Sequence, residues 1–289
     1  MRLDRILKKT SGTYALACAT EDDAGNTLTV TSPGLTVVDG AGTQVFTGTP
    51  TVGSGRLTAS IPVANLPRLD TYTATWTGTA AGQPVEWTTA IELAGGYLFS
   101  LAALRARDPE FADDDRWPDA DLEQARIVAE DALEGPQAAC VAFVPRGRRV
   151  ALDGSGRSAL RAPDFEIREV YAVTVDGVAW TSPQVAAIAI DDCRLVLPSG
   201  QTWPAGVRNV ALHYAHGRDR PATPIARAAL TLAREYLADA TGGVPARATA
   251  TTIGDQTFRL TIAGRDGVTG IPDVDAAIDQ HGRKRLGYA

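Results

Sequence analysis

The sequence predicts an α+β multidomain protein, and three observations carry that expectation. Residues 13–93 are dominated by Thr, Val, Gly and Ala and are cut by turn signals at short intervals. Residues 98–134 and 223–239 show helical spacing of apolar side chains. Between those helical stretches, residues 140–215 switch to strand-like alternation. The expected organisation is an all-β domain at 1–95, a helical domain at 96–243 with a β block at 140–215, and a C-terminal tail at 244–289.

In the first domain, turns are expected at Asp23-Ala24-Gly25-Asn26, Ser32-Pro33-Gly34, Asp39-Gly40 and Gly53-Ser54-Gly55. Tyr72, Ala74 and Trp76 alternate along one strand, and Val85, Trp87, Thr89 and Ile91 along the next. The polar link 78–83 joins them as a hairpin. Several short strands at this spacing predict a sandwich. The run Leu69-Asp70-Thr71-Tyr72-Thr73-Ala74-Thr75-Trp76 resembles the penultimate strand of immunoglobulin-like domains, where a tyrosine hydroxyl ties down a corner. The cysteine pair of that family is missing, so the resemblance implies a disulfide-free Ig-like domain.

Ala94-Gly95-Gly96 is the expected hinge. Ser100 is placed to cap a short helix over 101–107, stopped by Asp108-Pro109. A second helix follows Trp117-Pro118, with Asp119, Asp121 and Glu123 at the positive end of its dipole. Leu122, Ala125, Val128, Ala129, Ala132 and Leu133 form its apolar stripe, and Gly135-Pro136 ends it. In the β block, Asp153-Gly154, Asp176-Gly177 and Pro198-Ser199-Gly200 supply turns, and residues 208–214 read as a strand. The helix from Thr223 presents Ile225, Ala229, Leu232 and Leu237.

The tail opens with a hairpin signal at Gly254-Asp255 and continues into a short helix at 272–278. Ile271, Val274 and Ile278 share one side of it, and the basic cluster Arg283-Lys284-Arg285 follows. So small a stripe cannot form a core alone and is expected to dock on something.

Composition excludes several functions. A formal net charge of −6 argues against broad nucleic-acid binding, which needs a basic surface, though not against a local basic patch. Three widely spaced cysteines, Cys18, Cys140 and Cys193, offer neither a disulfide framework nor zinc spacing, so reduced thiols in a cytoplasmic setting are expected. The basic stretch 1–9 is followed by no signal-peptide apolar run, and no stretch reaches membrane-span length. His213 and His216, three apart on a strand, point to opposite faces and suit no shared metal. The run Asp113-Asp114-Asp115 with Asp119 and Asp121 lacks calcium-loop spacing. Asp153-Gly154-Ser155-Gly156-Arg157 lacks the first glycine of a nucleophile elbow and the lysine of a phosphate loop. No nucleophile–base pair is visible, so the expectation is a protein that is not an enzyme and carries no metal or cofactor. Arg146, Arg148, Arg149 and Arg157, with Arg161, are the most basic local stretch, as well suited to a passage for DNA phosphates as to a solvated strand pair, and the first four are the candidates for a DNA-channel or intersubunit contact.

Residues 98–240 resemble the head-to-tail connector (adaptor) proteins of long-tailed bacteriophages. The resemblance rests on the acidic helix ending near Ala138-Ala139-Cys140, then Ala142-Phe143-Val144-Pro145-Arg146 and Leu160-Arg161-Ala162-Pro163. It continues through residues 170–178, Arg194-Leu195-Val196-Leu197-Pro198, the helix 225–237 and the segment 270–278. It implies a structural virion protein at the head–tail junction, assembled in the host cytoplasm as a homo-oligomeric ring that matches the portal's twelve-fold symmetry. Such a ring binds the phage portal protein and the next neck protein, a stopper or tail terminator. Genomic DNA passes through its channel without sequence recognition. The resemblance also implies that the C-terminal segment reaches the portal, through Ile271, Pro272, Val274, Ile278, Arg283, Lys284 and Arg285. Avidity in a ring compensates for few anchors per chain. The competing expectation is an Ig-like glycan-binding or adhesin-type surface protein, for which Tyr72, Trp76 or Trp87 would have to be exposed platforms; their alternation favours core positions instead.

Overall fold

Among the described residues strands account for 40% and helices for 24%, which makes it an α+β structure dominated by sheets. The computed structural model describes residues 2–241, 250–253, 256–259 and 268–283.

The N-terminal part is built from β1 (Arg2–Leu7), β2 (Thr13–Ala19), β3 (Val30–Val38), β4 (Gln44–Gly48), β5 (Thr51–Gly53), β6 (Arg56–Pro62), β7 (Thr71–Ala80) and β8 (Gln83–Ala94). They form a five-stranded sheet, β1-β8-β7-β3-β4, and a three-stranded sheet, β2-β6-β5. Alternating side chains of the two sheets meet in one core: Tyr14, Leu16, Leu57 and Ile61 from the smaller sheet, Leu35, Val37, Tyr72, Trp76 and Ile91 from the larger. The β7–β8 hairpin turns on Ala81 and Gly82, both with positive φ, the backbone a two-residue turn demands. Ser32-Pro33-Gly34, expected as a turn, is an irregularity inside β3. Ser32 adopts φ 49° and the register with β7 shifts between Thr31 and Gly34, a place where the missing proline N–H costs no ladder bond.

β1 lies outside the range expected to form strands, and it pairs parallel with β8. Periodicity within residues 2–7 gives no hint of a partner at 89–94.

The helices follow the local signals. α1 (Leu101–Arg107) is capped by Ser100, whose Oγ accepts from Ala103 N. α2 (Asp119–Glu134) begins after Pro118 and ends at Gly135. The strand block contains β9 (Arg146–Gly154), β10 (Ala159–Arg161), β11 (Ile167–Val175), β12 (Val178–Ala179), the short α3 (Ser182–Ala186), β13 (Ala189–Asp191), β14 (Arg194–Val196) and β15 (Gly206–His216). These make a four-stranded sheet, β12-β11-β15-β9, and a three-stranded one, β10-β14-β13. Their core gathers Leu160, Val173, Leu195, Trp203, Val210 and Tyr214, with Trp180 stacked 5.1 Å from Trp203. α4 (Thr223–Thr241), β16 (Ala250–Ile253), β17 (Gln256–Arg259) and α5 (Pro272–His281) are the remaining elements among the described residues. β16 and β17 pair antiparallel; the turn expected between them, Gly254-Asp255, is outside the described residues.

Contacts divide the chain differently from the expected domains. One compact unit holds residues 1–96, 145–163 and 167–216; the other holds 97–144, 164–166 and the described residues from 217 on. The strand block therefore belongs with the N-terminal sandwich and not with the helices. The reason is the set of close contacts it makes there: Gly95 N donates to Pro145 O at 2.8 Å, and the Gly147 backbone lies directly against Leu69. The second unit has its own core, in which Leu104, Leu122, Ala125, Ala129, Leu133, Phe143, Ile225, Ala229, Ala233 and Leu237 are buried together. Buried Glu130 accepts from Leu98 N at 2.7 Å, which pins the chain entering α1 onto α2.

Candidate functional site

The C-terminal stripe is the first candidate. Proline at the start of α5 removes one donor the helix end would leave unpaired, and Asp275 Oδ1 accepts from Thr269 N and Oγ1, both at 2.9 Å. Val274 and Ile278 are 1% and 5% exposed and lie in the helical core with α2 and α4. The stripe expected to dock on the portal is thus covered by the protein's own helices. Within the chain α5 packs on α4 and shares the helical core to which α2 also contributes. Ile271 is half-buried against that core, whereas Pro272 is exposed. Arg283 N donates to Ala139 O at 2.6 Å, and its guanidinium lies 3.5 Å from Glu166 Oε1 and 5.5 Å from the Phe165 ring centroid. Lys284 and Arg285 lie outside the described residues.

The arginine stretch is the second. Strand alternation in β9 separates Arg149 from Arg146 and Arg148. Arg146 is buried, with Nη1 3.7 Å from Glu92 Oε1, and Arg5 also pairs with Glu92 at 2.6 Å. Arg149 Nη2 is 2.8 Å from Asp39 Oδ2 and 2.8 Å from Asp70 Oδ2. Two of the four arginines expected to face DNA or a neighbouring subunit are thus matched by carboxylates inside their own unit. Arg148 and Arg157 are exposed, Arg157 in the turn 155–158, where Ser155 Oγ donates to Ala159 O. The acidic run is also tied locally: Arg105 pairs with Asp114 at 2.7 Å and Asp119 at 2.8 Å.

Sequence reasoning missed a third constellation, where the sandwich meets the strand block. His213 Nε2 lies 3.2 Å from Leu69 O and 3.6 Å from Asp70 Oδ2. Tyr171 packs edge-on against the imidazole at 4.9 Å, and Arg68 stands over the Tyr171 ring. Asp70 Oδ1 accepts from Thr71 N, so both oxygens of this buried carboxylate are engaged. Burial pushes the His213 pKa below its ordinary value, against the opposing pull of Asp70, and burial raises that of Tyr171. Two open depressions border this junction. One of about 510 Å³ is lined by Lys8, Arg68, Glu169, Tyr171 and Ser182; the other, about 320 Å³, by Arg149, Ala151, Ala172, Thr174 and His213. Nothing in local spacing links position 70 to 149 or 213; only the single polar residues amid strand patterns mark them.

Tyr72 and Trp76, the rings a glycan platform would need, are buried, and the half-buried Trp87 donates its indole N–H to Glu21 O at 3.0 Å. Among the described residues, no cluster of three or more His, Cys, Asp or Glu is placed to hold a metal ion, and no helix is long and apolar enough to cross a membrane. The sequence matches no protein-family model and no curated protein.

Proposed function

We propose that the protein is a structural head-to-tail adaptor of a long-tailed bacteriophage: a ring of identical subunits below the portal that extends the DNA channel and joins capsid to tail. The observation that carries the reading is the order α2, strand block, α4, α5. In it, α2, α4 and α5 share one core although the strand block separates α2 from α4 in sequence. This is the helix–strand–helix order on which the sequence resemblance rests. The buried stripe moves the proposed portal contact to the exposed side of α5, around Pro272, Asp273, Ala276 and Asp279, and to the chain end beyond it. The N-terminal sandwich, with its Tyr72 corner, is an Ig-like addition to that scaffold.

The test is to mix the full chain with purified portal rings and record native mass and electron micrographs. Twelve copies forming a collar on one end of each portal is the expected result. Portal rings that stay bare at micromolar protein would overturn the proposal.

A further inference from the structure

The junction between sandwich and strand block contains a titratable group that the scaffold reading leaves unused. His213 is 3% exposed. Leu69 O can only accept, so the Nε2 facing it carries the ring proton. Nδ1 is then the basic nitrogen, and it is buried with no hydrogen-bond partner among the described residues. The charged and titratable groups around the ring come from every element packed on it. They are Asp70 and Arg68 from the turn before β7, Arg149 from β9, Tyr171 from β11 and, behind Arg149, Asp39 from the β3–β4 turn. Asp70 cannot turn wholly to the imidazole, because its Oδ2 already accepts from Arg149 Nε at 2.8 Å.

We propose that His213 is an acid-sensitive catch: a proton on Nδ1 releases the strand block from the Leu69–Asp70 turn of the sandwich. The added N–H has no acceptor among the described residues and stands on an atom shut off from solvent, although the ring borders the smaller depression, and such a buried donor is costly. The new positive charge also sits near the Arg149 guanidinium, whose like charge disfavours it. Burial holds the folded pKa below the ordinary 6.5, so the opened junction takes up the proton first. The catch is therefore fully engaged above pH 6.5, and its grip is lost as pH falls from there through the folded pKa.

Amide hydrogen exchange on the full chain from pH 8 to pH 5, corrected for intrinsic rates, tests this. Peptides spanning 66–73 and 146–150 should lose protection below pH 6.5 by up to about tenfold per pH unit, the slope of one-proton linkage. Peptides from α2 should keep theirs. His213→Gln retains an amide N–H for Leu69 but cannot take the proton, so its protection should be level across the range. Unchanged wild-type protection, or a His213→Gln slope equal to wild type, would refute the catch. If that variant fails to fold, NMR titration of the wild-type His213 ring decides: a pKa at or above 6.5 overturns the proposal, and one below it supports it.

Discussion

Gly147 leaves no room for a side chain against Leu69. A Cβ at position 147 would stand 1.9 Å from the Leu69 carbonyl oxygen and 2.1 Å from its carbon, far inside contact distance. Main chain therefore meets main chain where β9 crosses the turn before β7, and the neighbouring contacts of Arg149 and His213 depend on that approach. Gly147→Ala should destabilise the protein by about 3 kcal/mol, because backbone cannot retreat as a flexible side chain can. Gly177, at φ 80° with open space around it, provides the control. Gly177→Asn should stay within about 0.5 kcal/mol, since asparagine tolerates that backbone region. Urea unfolding of both variants checks the contrast, and equal midpoints would refute it.

Arg149 divides unequally between its two carboxylates. The Asp70 side chain is 5% exposed and that of Asp39 is 19% exposed, so water replaces the lost charge more readily at Asp39. The asparagine variants preserve shape and the acceptors for Thr71 N and for Ala41 and Thr43 N. Asp70→Asn should cost about 2 kcal/mol and Asp39→Asn less than about 1 kcal/mol. In an Arg149→Met background the Asp70→Asn cost should shrink, since the cation it answers is gone. An unchanged cost there would show that Arg149 is not what Asp70 stabilises.

What could be read in the sequence was local. Ser100 as a cap, Pro118 and Gly135 as the limits of α2, and a hairpin link within 78–83, which the structure narrows to Ala81-Gly82, each follow from backbone chemistry within a few residues. The burial of Tyr72 and Trp76 also followed from alternation along one strand. Partnership between distant segments was not legible. Nothing in residues 2–7 names 89–94 as a parallel partner, and the arginine run around β9 gives no sign that Glu92, Asp39 and Asp70 await it. The same blindness affected α5: its apolar stripe was visible, but its partner was not. The expected site residues thus included two core side chains and two internally paired arginines.

Tyr72 ties its strand to the turn that precedes it. Its hydroxyl donates to Arg68 O at 2.9 Å, the corner contact the resemblance to Ig-like domains implies. Burial pushes the phenol pKa well above its usual value, so the group stays a donor at and well above neutral pH. Tyr72→Phe should cost about 1 kcal/mol, chiefly through the Arg68 carbonyl left without its donor. Equilibrium unfolding measures this directly. A neutral substitution would mean that water satisfies Arg68 O equally well.

The burial of Val274 and Ile278 separates a structural role from a docking role for α5. If these side chains complete the helical core, truncating either one must weaken the isolated protein with no partner present. Val274→Ala removes two methyl groups from a site 1% exposed and should cost about 1.5–2.5 kcal/mol; Ile278→Ala should cost about 2–4 kcal/mol. Pro272 is exposed at the first turn, so Pro272→Ala should change stability by less than about 0.5 kcal/mol. Urea unfolding followed by far-UV circular dichroism, which weights the helices, reads all three. Loss of stability at 274 and 278 with none at 272 assigns the stripe to the core. Unaltered stability at all three would return the stripe to the surface as a docking element, because a side chain that packs nothing in its own chain loses nothing when cut back.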